Sequence, residues 1–176
     1  TTIVAASGTP ASAAVGTPFI APLVVRVSDA DGNPVPAARV TFTTGGSGPS
    51  ATLDATVAFT DVAGEAHVQA HANDLAGSHV VSAVVADGAL PALFDLTNVP
   101  GTPSVSHVTP IASEQATPVM TGFAHELGLF VQDGFGNPVS GAAVTWRVPP
   151  SGASAIIQAE VTTTDERGYT SNSIVA

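Results

Sequence analysis

The chain repeats itself. Displaced by 104 residues, Val15–Gly64 lies on Val119–Gly168 without a gap, and 22 of the 50 positions are identical. The densest stretch runs from Leu23 to Phe42 and is matched by Leu127 to Trp146. A fixed period marks an array of similar units. A unit of about 100 residues can hold its own core, so the period predicts a string of domains rather than a solenoid. The match runs out of chain at Ala176, so the second unit is expected to lack its C-terminal strands. The expected boundaries are a first domain over 1–98, a short Pro-containing linker over 99–103 and a second, incomplete domain over 104–176.

Within the first unit the apolar residues alternate. Leu23, Val25 and Val27 share one face, with Arg26 and Ser28 on the other. Val40 and Phe42 are expected inward, as are Val57 and Phe59. A period of two is the strand signal. Val80–Val85 is nearly unbroken and predicts burial on both faces. Turn chemistry separates these runs: Asp31-Gly-Asn-Pro34, Gly45–Pro49, Asp61–Gly64, Asn73–Gly77 and Asp87-Gly88. Gly and Asn tolerate positive φ, Pro presets its own, and Asp caps its own turn. Seven strands are expected, near 2–6, 19–28, 38–44, 52–60, 65–72, 79–86 and 92–97. Short strands with turns between them predict a β-sandwich.

Composition agrees and narrows the function classes. The chain is 44% hydrophobic and 10% charged, too apolar for disorder. Four Arg, no Lys and a net charge of −10 exclude a row of phosphates or an anionic membrane surface as partner. The negative charge reads as a solubility feature. Without Cys there are no disulfides, thiol chemistry or Cys-based zinc. No apolar run approaches 18 residues, so no helix is expected to insert in a membrane. A first residue of Thr and no signal segment read as a processed product or a piece of something longer.

Both copies carry the pattern Val-x-Asp-x-x-Gly-Asn-Pro-Val-x-x-Ala-x-Val-Thr-Phe/Trp. Its residues are Val27, Asp29, Gly32, Asn33, Pro34, Val35, Val40, Thr41 and Phe42, then Val131, Asp133, Gly136, Asn137, Pro138, Val139, Val144, Thr145 and Trp146. A second turn follows in each, Thr60-Asp61-x-x-Gly64 and Thr164-Asp165-x-x-Gly168. This resembles the bacterial immunoglobulin-like domains of group 1, the tandem units of invasin- and intimin-type adhesins. The resemblance implies an all-β fold of tandem immunoglobulin-like β-sandwiches. It also implies extracellular display on a bacterial cell surface, with most copies acting as spacers. Any host receptor or glycan would be contacted through other domains.

Candidate chemistry is sparse. Asp29-Ala-Asp31-Gly-Asn33 looks like the start of a calcium loop, but position 12 is Val40 and Asp31 becomes Phe135 in the second copy. Asp29, Gly32, Asn33, Pro34, Asp61 and Gly64, with Asp133, Gly136, Asn137, Pro138, Asp165 and Gly168, are therefore structural turn residues. Calcium at the joint through Asp95, Asn98 or Asp61 has no visible ligand set. His67 and His71 point outward from one strand, about 13 Å apart, too far to share an ion. His79, His107 and His125 read as surface residues. No nucleophile elbow, facing acid pair or phosphate loop is present, so neither an enzyme nor a cofactor is expected.

In the second unit Val68 becomes Asn172 at a core-facing position, so the strand slips or its absent neighbours matter. Trp146, in place of Phe42, is expected inward with a partner for its ring nitrogen. Phe130, Phe135 and Tyr169 are the candidates for a sugar platform. The leading expectation is a non-catalytic stalk module of a surface adhesin, its partners being neighbouring repeats. The alternative is a filament subunit in which a strand from a neighbouring chain, with Thr1–Ala6 as one candidate donor, completes the second sandwich.

Overall fold

A computed structural model describes residues 1–86, 90–111 and 114–176, with the side chains of 105–111 left aside. The expected turn at Asp87-Gly88 and the side chain of His107 lie outside the described residues. The chain divides into Thr1–Val99 and Pro100–Ala176. It is all-β.

Among the described residues, ten strands form the first unit: β1 (Thr2–Ser7), β2 (Ala11–Ala14), β3 (Leu23–Ser28), β4 (Arg39–Thr43), β5 (Ala51–Leu53), β6 (Val57–Phe59), β7 (Glu65–Val68), β8 (Ala70–Ala72), β9 (Gly77–Val85) and β10 (Ala92–Val99). One sheet runs β1-β3-β7 and the other β2-β10-β9-β4-β6, with β5 and β8 paired separately. The core lies where their inner faces meet. Leu23, Val25, Val27 and Val68 come from one side, and Val40, Phe42, Val81, Phe94 and Leu96 from the other. Phe42 and Phe94 meet with ring centroids 6.4 Å apart. Burying such side chains is the dominant favourable term in folding.

Several expectations change. β2 was not anticipated, because Ala-Ser-Ala-Ala has neither β-branched residues nor clear alternation. It becomes a strand through parallel pairing with β10, Leu96 to Ala11 through Val99 to Ala14. The span near 52–60 is broken between β5 and β6. There Asp54 N donates to Gln69 O, and Gln69 N donates to the Asp54 carboxylate; Gln69 itself interrupts 65–72. Phe59 faces solvent, 63% exposed, instead of the core. Its register places it opposite Arg39, while Ala58 lies opposite inward-facing Val40. A one-residue phase change moves every side chain to the other face. Val80–Val85 is buried on one face only: Val81, Ala83 and Val85 are inside, and Val80 and Val84 are exposed.

Among the described residues, seven strands form the second unit: β11 (Pro103–Ile111), β12 (Leu127–Asp133), β13 (Ala143–Thr145), β14 (Ile156–Ile157), β15 (Val161–Thr163), β16 (Tyr169–Asn172) and β17 (Ile174–Val175). They form β11-β12-β16, β13-β15 and β14-β17. Leu23 pairs with Val68 in the first unit, and Leu127 with Asn172 in the second. The strand has not slipped. Asn172 is buried, and its amide pairs with the backbone of Ala159: Nδ2 donates to Ala159 O at 2.5 Å, and Ala159 N donates to Oδ1 at 3.2 Å. A buried amide with both partners costs little. Trp146 is half-buried, and its Nε1 donates to Thr162 Oγ1 at 2.8 Å.

Candidate functional site

The repeated turns are the most organised polar structure in each unit. Asp29 closes β3. Its Oδ1 accepts Asp31 N at 3.0 Å and Asn33 N at 2.9 Å, and its Oδ2 accepts Asn33 Nδ2 at 3.1 Å. Asp61 repeats the device: its Oδ1 accepts Ala63 N at 2.8 Å and Glu65 N at 3.0 Å. A short acid side chain thus satisfies amides that the ladder leaves free. Gly64 brings the two turns together. Its φ is +75°, and a Cβ there would fall 2.5 Å from Val27 O and 3.0 Å from Pro34 Cβ.

The second unit repeats the arrangement. Asp133 Oδ1 accepts Phe135 N and Asn137 N, both at 2.9 Å. Asp165 Oδ1 accepts Arg167 N at 2.9 Å and Tyr169 N at 2.8 Å. Gly168 approaches Val131 O and Pro138 as Gly64 approaches Val27 O and Pro34. Beside each turn pair sits a buried threonine. Thr60 Oγ1 accepts Ala38 N and donates to Val35 O, and Thr164 Oγ1 does the same with Ala142 N and Val139 O. The sequence contains the signal for this bracket, since both threonines stand beside the turn aspartates, but spacing alone does not tell a bracket from a surface residue.

Among the described residues, three carboxyls are held below their usual values. Asp29 is lowered chiefly by the Asn33 amide, and Glu126 by the Ser171 and Ser173 hydroxyls. At Asp133 burial pushes upward, and hydrogen bonds from Asn137, Gly101 and Phe135 outweigh it. A carboxyl depressed in the folded state contributes stability that is present above its unfolded value and lost as pH falls through the folded one. The melting temperature is therefore expected to hold from about pH 7 to about pH 5 and to drop below about pH 4. Thermal unfolding across that range checks this, and Asp29→Asn together with Asp133→Asn should flatten the drop.

His67 and His71 are exposed, on β7 and β8 either side of Gln69. His125 is exposed, its N–H on Gln115 Oε1. His79 is not the surface residue expected. Its ring stands edge-on to Phe19, Nε2 meets Asn98 Oδ1 at 3.1 Å, and Nδ1 is buried without a hydrogen bond. The β9 alternation is too weak to reveal this, because the packing comes from a residue sixty positions away. Asn98 is buried as well. Its Nδ2 donates to Ser50 O, Asn73 Oδ1 and Leu75 O, tying the end of β10 to two loops. Asp95 faces solvent, its N–H on Thr9 Oγ1. Among the described residues, no three His, Asp or Glu side chains gather as a metal site.

Of the aromatic candidates, Phe130 and Tyr169 pack on each other at 5.2 Å between centroids. Tyr169 also lies over Gly128, where a Cβ would meet its hydroxyl at 2.6 Å. That is a ring covering a strand glycine. Phe135 is 54% exposed on the turn. A cavity of about 610 Å³ in the second unit is lined by Phe123, Leu127, Trp146, Ile157 and Ile174 among others.

Two facing sheets joined by capped turns define an immunoglobulin-like sandwich. FdeC, a broadly conserved Escherichia coli adhesin, has this fold with a TM-score of 0.55, at 18% identity over 98% of this chain and 54% of that one. The D0-D1 domain of intimin aligns at 23% identity over 100% of this chain and 84% of that one, with a TM-score of 0.44. Residues 20–97 match the family model of the bacterial Ig-like domain (group 1). The first unit is therefore a domain of that family. It is also 32% identical over 157 residues to the inverse autotransporter adhesin YeeJ of Escherichia coli strain K12, a match covering 84% of this chain. The chain spans about 6% of the length of that relative.

Proposed function

We propose that the chain is a non-catalytic, load-bearing spacer of a bacterial surface adhesin. The observation that carries this is the parallel pair β2–β10. Chain ends pulled apart draw β2 toward its N-terminus and β10 toward its C-terminus. In a parallel pair those directions are opposed along one axis, so the ladder from Leu96–Ala11 to Val99–Ala14 is loaded in shear, all bonds together. The capped turns brace the ends of the sheets, and the Asp side chains in them are engaged with backbone rather than presented to a ligand. Homology to a small part of an adhesin supports the same reading. The partners are then neighbouring repeats, the location is the bacterial cell surface, and receptor or glycan contact belongs to other domains.

Single-molecule pulling tests it. Attached at Thr1 and Val99, the first unit is expected to yield at a higher force than when attached at Ser78 and Thr97, which sit opposite each other on β9 and β10 and unzip bond by bond. Equal forces would remove the load-bearing role.

One feature favours the filament reading as a second possibility. β4 is paired on both sides, by β6 and β9, whereas among the described residues β13 is paired by β15 alone. Thr1–Ala6 is not a free donor, because β1 pairs with β3 and Ile3 is buried. In the first unit two strands, β9 and β10, lie between β4 and β2. A donor would therefore be a two-stranded hairpin rather than a single strand. Sedimentation over a wide concentration range decides: a monomer throughout retires the filament.

A further inference from the structure

The two copies of the Asp-x-x-Gly-Asn turn are not used identically. In the first, Asp29 Oδ2 takes the Asn33 side chain. In the second, Asp133 Oδ2 takes the Asn137 side chain at 2.9 Å and also the backbone N–H of Gly101 at 2.8 Å, 32 residues earlier. Asp133 is 1% exposed. Gly101 belongs to the segment Pro100-Gly-Thr-Pro103 that leads into β11.

The chemistry of that segment explains the contact. Pro100 and Pro103 have no N–H, so only Gly101 and Thr102 can donate from the backbone. Pro103 is also the residue paired with Asp133 in the β11–β12 register. A proline cannot supply the ladder bond, and the pairing is irregular between Pro103 and Val108. The aspartate side chain reaches two residues further up and adds a fastening at Gly101. A charge-assisted bond is shorter and stronger than a neutral one.

We propose that Asp133 is a positioning residue that pins the lead-in segment Pro100–Pro103 to the second unit through Gly101. One oxygen shapes the turn and the other holds the incoming backbone, so the turn determines where the chain joins its sheet. The role stands whether or not the chain serves as a stalk.

Amide hydrogen exchange on the full chain tests it. Asp133→Asn keeps an oxygen to accept Phe135 N and Asn137 N. Its new NH2 group then faces the Gly101 N–H, donor against donor. Gly101 exchange is expected to quicken at least about tenfold while the Phe135 and Asn137 amides keep their protection. Asp29→Asn, the matching change in the first unit, should leave Gly101 unaffected. An unchanged Gly101 in Asp133→Asn would overturn the assignment, as would a loss of protection shared by all of β12. Should Asp133→Asn fail to fold the second unit, Gly101→Pro removes the donor and leaves the turn intact. The Asp133 carboxyl is then expected to titrate higher, because one of the hydrogen bonds that lower it is gone, and an unchanged titration would equally overturn it.

Discussion

Phe94→Ala is expected to lower the unfolding free energy of the first unit by about 3–5 kcal/mol. Phe94 is fully buried on β10 and meets Phe42 of β4, two strands along on the inner face of the same sheet. Alanine removes the buried ring and leaves a cavity that a lattice of paired strands cannot collapse. The loss is large beside the total stability of a domain, about 5–15 kcal/mol. Urea denaturation followed through the methyl resonances of Val25, Val81 and Leu96 measures it in the right unit. Trp146, the single tryptophan, reports on the second unit. A loss below about 1 kcal/mol would mean that the two sheets do not pack at this point.

Gly64→Ala and Gly168→Ala are expected to cost about 2–5 kcal/mol each. Both glycines have positive φ, +75° and +72°, and a Cβ would fall 2.5 Å from Val27 O and 2.4 Å from Val131 O. Those carbonyls cannot easily withdraw, because they accept Val35 N at 3.1 Å and Val139 N at 3.0 Å. Gly32 and Gly136 provide the comparison. Their φ values are +86° and +87°, yet nothing lies within 4 Å of an added Cβ. Alanine there meets only the backbone penalty, about 1–2 kcal/mol. Melting of the four variants separates close approach from φ alone, and equal losses at all four would contradict the contact.

Much of this was legible in the chain itself. The 104-residue period and the alternation of Leu23, Val25 and Val27 state the fold class, because a strand's side-chain period is a local property. The turn aspartates were legible for the same reason: Asp29 caps amides two and four residues away, and Asp61 does likewise. What failed was long-range. Ala11–Ala14 carries too little local preference to announce a strand, and only β10 lying alongside makes it one. Phe59 looked like core by pattern, but register against Arg39 turned it out. His79 looked like surface, but Phe19 and Asn98 enclose it.

By itself, the sequence determined that this protein is a repeated, all-β chain whose turns are closed by Asp, Gly, Asn and Pro, because those choices rest on backbone sterics and hydrogen bonds within a few residues. Only the tertiary structure decided which apolar faces are buried, that Asn172 and Asn98 find partners, and that Asp133 fastens Gly101. Each of these depends on which distant strand arrives alongside and in what register, and pairing register is a property of two segments that neither encodes alone.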